Sequence, residues 1–233
     1  MVPYGYFNDS TMLLVLPGLL FALWAQFHVQ SVFRRYQNVQ SSRGFTAAQV
    51  AVSMLKENGI TDIAVERVPG TLSDHYDPRT HTLRLSEGVY GSSSLAALGV
   101  AAHEVGHVLQ HHDEYIPLKL RSAFVPVAQV GSYAAVPLFF LGLFMSWESL
   151  LWIGIGVFTA VVLFYLITLP VEYNASSRAI ASLEAGGYLT YEEARPARKV
   201  LNAAGLTYVA AALQAALQLL RLLALSGGHR RRD

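Results

Sequence analysis

The residues best equipped for chemistry are His103-Glu104-Val105-Gly106-His107. Positions four apart share one face of a helix, so the two imidazoles can converge on a single ion. Glu104 stands beside them without being a forced ligand, and can take a proton from a water on that ion. In a chain of this composition an H-E-x-x-H pattern arises by chance about once in a hundred sequences. Ala101, Ala102, Val105, Val108 and Leu109 surround the motif, so the histidines lie on a largely buried helix. Buried polar groups need partners, and a zinc ion supplies one.

A catalytic zinc takes three protein ligands and keeps one position for water. Three residues compete for the third place. Asp113 lies six residues past His107, but a chain turning back to it would want Gly at 110, where Gln110 continues the helix. His111 shares the face of His107, yet one further turn of straight helix carries it about 6 Å along the axis. His111 and His112 suit the helix end, where the dipole favours them. Glu172, far along the chain in Leu169-Pro170-Val171-Glu172, is the third candidate, and a carboxylate there also fits plain decoration of a membrane interface.

The elements that must position these residues are legible from pattern. Thr46 and Gln49 form a capping box ahead of an amphipathic helix that stops at Asn58-Gly59. Residues 63–68 alternate as a strand and end at Pro69-Gly70. Residues 71–76 and 81–85 flank Asp77-Pro78-Arg79-Thr80 as a hairpin. Residues 94–112 read as one long helix carrying the histidines. A second capping box, from Thr190 to Glu193, starts a helix that runs into the last apolar stretch.

The rest of the chain is made for lipid. Of 233 residues 53% are hydrophobic and 14% charged, against roughly 45–50% and 25% in ordinary soluble domains. With no cysteine, disulfide scaffolds, zinc ribbons and cysteine nucleophiles are excluded. A net charge of +1, its basic residues spread along the chain, gives no reason to expect nucleic acid. Apolar stretches at 10–33, 122–147 and 149–171 each suffice to span a bilayer, which takes about 20 residues. A fourth hydrophobic helix occupies 200–225. The flank before the first span has no Lys or Arg, and no A-x-A site follows it, so it reads as a retained anchor.

Basic residues set the orientation. Nine of the 17 lie between Arg34 and Arg121, and none precedes the first span. Positive flanks stay in the cytoplasm, which predicts an outside N-terminus and a cytoplasmic domain at 34–121, with 172–199 on the same side. The fourth helix admits two readings. Crossing fully would export His229-Arg230-Arg231-Arg232 against the rule, whereas Gln214, Gln218 and Arg221 give it a polar face for packing or lying at the interface. The arginine tail could touch anionic lipid or simply end the chain in solvent.

Five segments carry a family resemblance: Ser73-Asp74-His75-Tyr76-Asp77-Pro78, Leu85-Ser86-Glu87-Gly88-Val89-Tyr90, Val100-Ala101-Ala102 with the H-E-x-x-H motif, Pro117-Leu118-Lys119-Leu120-Arg121-Ser122, and Leu169-Pro170-Val171-Glu172-Tyr173-Asn174-Ala175-Ser176. Over nearly its whole length the chain resembles the YugP-type bacterial membrane zinc metallopeptidases, also called neutral zinc metallopeptidase family 2. More distantly it is similar to the HtpX and CAAX-prenyl endopeptidases. The resemblance implies a mainly α membrane protein with about four hydrophobic helices. Attached to them would be a small cytoplasmic α+β, gluzincin-like protease domain with a short antiparallel sheet.

It also implies one zinc ion on His103, His107 and Glu172, with Glu104 as catalytic base. The relatives' E-x-x-A-D segment maps onto Glu172 to Ser176, where Ser176 replaces the Asp that orients a zinc-bound histidine. The shell behind the ligands must therefore be built otherwise, with Asn174 or Arg178 as contributors. His75, Tyr76 and Arg178 are the candidates for oxyanion or substrate contacts, and a strand near 71–76 is expected to pair with extended substrate. The implied activity is zinc-dependent endoproteolysis of membrane-associated or unfolded proteins at the cytoplasmic face of a bacterial inner membrane. The competing reading is a non-catalytic membrane scaffold with a structural zinc, closed by a fourth ligand such as Asp113 or His75. The partners are the lipid bilayer and a protein or peptide substrate, and no regulatory partner is indicated.

Overall fold

In the computed structural model the chain is described from residue 11 to residue 230. The N-terminal flank, including Ser10, and Arg231 and Arg232 of the basic tail lie outside the described residues. The chain divides into two compact units, one of residues 26–119 and 170–206, the other of 1–25, 120–169 and 207–233.

The first unit holds the mixed α/β pattern. Helix α2 (Ala47–Glu57) opens with the expected reciprocal cap, Thr46 and Gln49 each bonding the other's backbone N–H. It ends at Gly59, whose φ of +72° is a left-handed conformation that glycine adopts without strain. Three strands follow, β1 (Ala64–Val68), β2 (His75–Asp77) and β3 (Thr82–Ser86), ordered β1-β3-β2. Strands β2 and β3 form the expected antiparallel hairpin, with Asp77 accepting from Arg79 N and Thr80 Oγ1 in the turn.

The sheet is mixed rather than antiparallel, because β1 joins β3 in parallel. With β2 paired antiparallel along one edge of β3, β1 takes the other edge; before β2 the Asp74 carboxylate accepts from both the backbone N–H and the hydroxyl of Ser86. That clamp holds the incoming chain beside the end of β3, on the side away from β1. Strand β2 therefore forms an outer edge, and its first arm, residues 71–74, stays outside the ladder. Leu83 and Leu85 of the central strand are fully buried.

After the short α3 (Glu87–Tyr90), helix α4 (Leu95–His112) starts at Ser94, whose side chain accepts from Ala97 N. Its Ala, Leu and Val face joins Val50, Met54, Leu83, Leu85, Leu183 and Leu201 in one core. That buried apolar area, at about 25 cal/mol per Å2, is the main force holding α4 to its neighbours.

The long apolar helices are α1 (Met12–Tyr36), α5 (Ile116–Phe144), α6 (Glu148–Ala185) and α7 (Tyr191–Arg230). Each is long and apolar enough to cross a membrane. Helix α6 runs 38 residues, so Glu172 belongs to the same helix as the apolar stretch before it. Helix α7 starts at the predicted cap, where Glu193 accepts from Thr190 N and donates its own N–H to Thr190 Oγ1. Within the second unit Phe139, Leu143, Leu151, Ile155, Phe158 and Leu222 form a separate apolar cluster.

Candidate metal centre

Helix α4 presents His103 and His107 one turn apart, their rings edge to face at 4.7 Å. Helix α6 brings Glu172 against both. Its Oε2 lies 3.2 Å from His103 Nε2 and 3.6 Å from His107 Nε2. A zinc ion bonded at about 2.05 Å to tetrahedral ligands separates them by about 3.3 Å, so the observed spacings match that edge. Among the described residues, the three donors form a cluster with one ligand atom each within 4.8 Å of the others. Glu172 is only 2% exposed, and a buried carboxylate requires a cation or strong donors nearby.

The approach of the two helices depends on Gly106. A Cβ at that position would stand 2.5 Å from the backbone oxygen of Ala175. Only glycine lets α4 close onto α6 there, and Ala175 is fully buried in the seam. The residue between the histidines thus sets the distance at which Glu172 meets them.

Behind the ligands, each histidine is held at its other nitrogen. His103 Nδ1 lies 3.1 Å from Ser176 Oγ, and His107 Nδ1 lies 3.0 Å from Gln110 Oε1. Gln110 is fully buried, and its Nε2 donates to the Val171 carbonyl and to Asn174 Oδ1. Arg178 Nε donates to the same Asn174 oxygen, and its Nη1 donates to Asp113. Burial works against a charged His107. The Glu172 carboxylate outweighs it and raises that imidazole above its ordinary value. Glu104, 9% exposed beside His103, adds to the same negative field at His107.

The competing third ligands are placed elsewhere. Asp113 caps α4 and is paired with Arg178, which holds its carboxyl below the usual range. His111 lies a turn beyond His107, with Nδ1 3.1 Å from the Tyr76 hydroxyl. His75 is exposed on β2, its Nδ1 2.8 Å from the Ser73 carbonyl. Tyr76, half-buried, is the β2 residue that touches α4 through that bond to His111.

Two contributors to the site escaped sequence reasoning. By type Gln110 is a helix former, though a Gln three residues past a candidate ligand histidine on an apolar helix is a signal in its own right. Ser176 was read as the loss of an orienting group, whereas its hydroxyl takes up that position on His103. Of the residues expected behind the histidines, Asn174 bonds Gln110 and Arg178 bonds Asn174.

Comparison with known proteins agrees with this geometry. Residues 11–227 match the family model described as "Putative neutral zinc metallopeptidase". The chain is 47% identical over 210 residues to the "Putative membrane protease YugP" of Bacillus subtilis (strain 168), covering 90% of this chain and 93% of that protein. No solved structure gives a significant match.

Proposed function

This chain belongs to the family described as "Putative neutral zinc metallopeptidase", and from that premise we propose that it is a membrane zinc endopeptidase acting on membrane-associated or unfolded proteins. What supports the reading most is the convergence of two imidazoles and a buried carboxylate. Gln110 Oε1 accepts the Nδ1–H of His107, so the neutral imidazole turns its Nε2 to the buried Glu172 oxygen, with His103 Nε2 beside it. A buried carboxylate facing two imidazole nitrogens is an assembly that a bound cation stabilises. Two imidazoles and a carboxylate are a donor set that zinc prefers.

In this reading His103, His107 and Glu172 hold the ion and Glu104 is the general base. Zinc, when bound, lowers the pKa of a coordinated water towards about 7 and polarises the scissile carbonyl. Glu104 accepts the proton of the attacking water and passes it to the leaving amine. For the charge growing on the carbonyl oxygen we assign Tyr76, with His75 next to it on β2. Strand β2, at the sheet's outer edge, can take an extended substrate as an added strand. Arg178 is engaged with Asn174 and Asp113, and we assign it to supporting the ligands. The distribution of basic residues argues for an active site on the cytoplasmic side of a bacterial inner membrane.

A structural zinc would need a fourth protein ligand. Asp113 and His75, the residues best placed in sequence to supply one, are bonded to Arg178 and to the Ser73 carbonyl. The test is metal analysis of the purified full-length protein, paired with casein or peptide hydrolysis with and without a chelator. One equivalent of zinc and hydrolysis that stops on chelation and returns with zinc are expected. Zinc without any hydrolysis would favour the scaffold.

A further inference from the structure

The proton positions around His107 are fixed by groups that the catalytic steps do not use. Arg178 carries only donors. Its Nε donates to Asn174 Oδ1 at 2.9 Å, which forces the oxygen of that amide, not its NH2, towards Arg178. The same oxygen accepts from Gln110 Nε2 at 3.0 Å, while the Val171 carbonyl takes the second amide proton at 2.7 Å. With both protons committed, only Gln110 Oε1 is left to face His107 Nδ1. A carbonyl oxygen can only accept. Nδ1 therefore carries the hydrogen, and the tautomer of neutral His107 selected here is the one whose Nε2 lone pair faces the ligand cluster.

We propose that Gln110 is a positioning residue for the metal site, and that Arg178, Asn174 and Gln110 form a relay locking His107 in the tautomer and orientation that bind zinc through Nε2. The inference rests on the zinc reading above. Its other support is burial. Gln110 is 0% exposed in a helix of Ala, Leu and Val, where an apolar side chain of similar size would need no hydrogen bonds at all. The amide is fully bonded instead, at both ends, and one end is a ligand. Asp113 anchors the outer end by pairing with Arg178 at the C-terminus of α4, so the relay ties the end of one ligand-bearing helix to the middle of the other.

The test is zinc affinity of the full-length protein in detergent, stripped of metal and titrated with Zn2+ against a chromophoric chelator. Gln110→Leu is expected to bind zinc about 10–100-fold more weakly, the usual cost of losing an orienting partner. Gln110→Glu, protonated on its outer oxygen, keeps an acceptor for Nδ1–H and a donor for the Val171 carbonyl. It should recover about tenfold over the Leu variant. A purely structural role would leave affinity unmoved in any variant that folds. A folded Gln110→Leu that binds zinc like the wild type overturns the proposal, as does a Glu variant no better than Leu. Should Gln110→Leu not fold, Asn174→Leu carries the test. It leaves Gln110 in place but releases its amide, and affinity is expected to fall about 3–10-fold, with no change sinking the relay. A wild-type chain that takes up no zinc brings down the metalloprotease reading and the relay with it. Normal uptake with an indifferent Gln110 removes the relay alone.

Discussion

The two units of this chain both let helix backbones touch at glycine, to different ends. In the apolar unit a Cβ on Gly142 would stand 2.5 Å from Leu151 N, and one on Gly154 would stand 2.7 Å from Phe139 N. Helices in lipid gain little from hydrophobic burial against each other, and small residues that permit close van der Waals contact take over that role. In the other unit the surrounding core is of the aqueous kind, Leu, Val and Met packed around a sheet, and burial already supplies the cohesion. Gly106 is then not needed for cohesion, and its contact with Ala175 brings the helix of Glu172 against the helix of the two histidines. The same local geometry is packing in one unit and, under the proposed function, coordination in the other.

The largest break between the units is chemical, and Glu104→Gln isolates it. Removing the base while keeping its shape should lower turnover by about 10²–10⁴-fold. Zinc content and the melting temperature should stay as in the wild type, since Glu104 is not in the ligand triad. Peptide hydrolysis and metal analysis on the same preparation check this, and retained hydrolysis would remove Glu104 from the mechanism.

The glycines sharpen the comparison next. Gly106→Ala and Gly154→Ala both press a methyl on a neighbouring backbone, and each should cost about 1–3 kcal/mol of stability as overpacking. Only Gly106→Ala should also weaken zinc binding, because it pushes Glu172 away from the histidines. Thermal melts of the metal-free forms, set beside chelator-competition affinities, separate the two effects. Equal zinc affinity in both variants would mean that Gly106 is ordinary packing.

Ser176→Ala should be milder. It removes the hydroxyl from His103 Nδ1 but leaves the ring packed between the helices, and a loss of about tenfold in zinc affinity is expected. Ser176→Asp restores a charged acceptor at the same place and should bind zinc at least as tightly as the wild type.

How much of this was legible in the sequence follows from the range of each interaction. Caps at Thr46 and Thr190, the hairpin around Asp77-Pro78 and the four apolar helices are signals carried within a few residues or a single period, and all are found. The H-E-x-x-H pair is equally local. Glu172 lies 69 residues from His103, and no spacing rule reaches that far; only family likeness singled it out. The parallel pairing of β1 escaped because it joins strands that are not consecutive in the chain, and no local pattern names a strand's partner. Gln110 and Ser176 escaped for a related reason. Each was judged by what its residue type does along the chain, while its role is set by the helix opposite.

The smallest expected effect lies at the outer end of the relay. The Asp113 carboxyl is held below its ordinary value first by the hydrogen bond from Arg178, with His112 beside it adding to the same direction. A carboxylate whose folded-state pKa is depressed releases its proton more readily in the native state than in the unfolded chain. Its contribution is therefore in place above the unfolded value of about 3.9 and is lost as pH falls through the lower folded one. Asp113→Asn should accordingly melt below the wild type at pH 5 to 7, with the two curves converging as the solution is made more acid than about pH 4. The pair is half exposed, so the gap should be small and should shrink further in high salt. Melting temperature against pH for both proteins, at low and high ionic strength, reads it out. A gap that persists at pH 2, or that ignores salt, would mean that Asp113 stabilises the end of α4 as a cap and not through its charge on Arg178. The relay would then lose its outer anchor, while the inner bonds from Asn174 to Gln110 and His107 would have to hold without it.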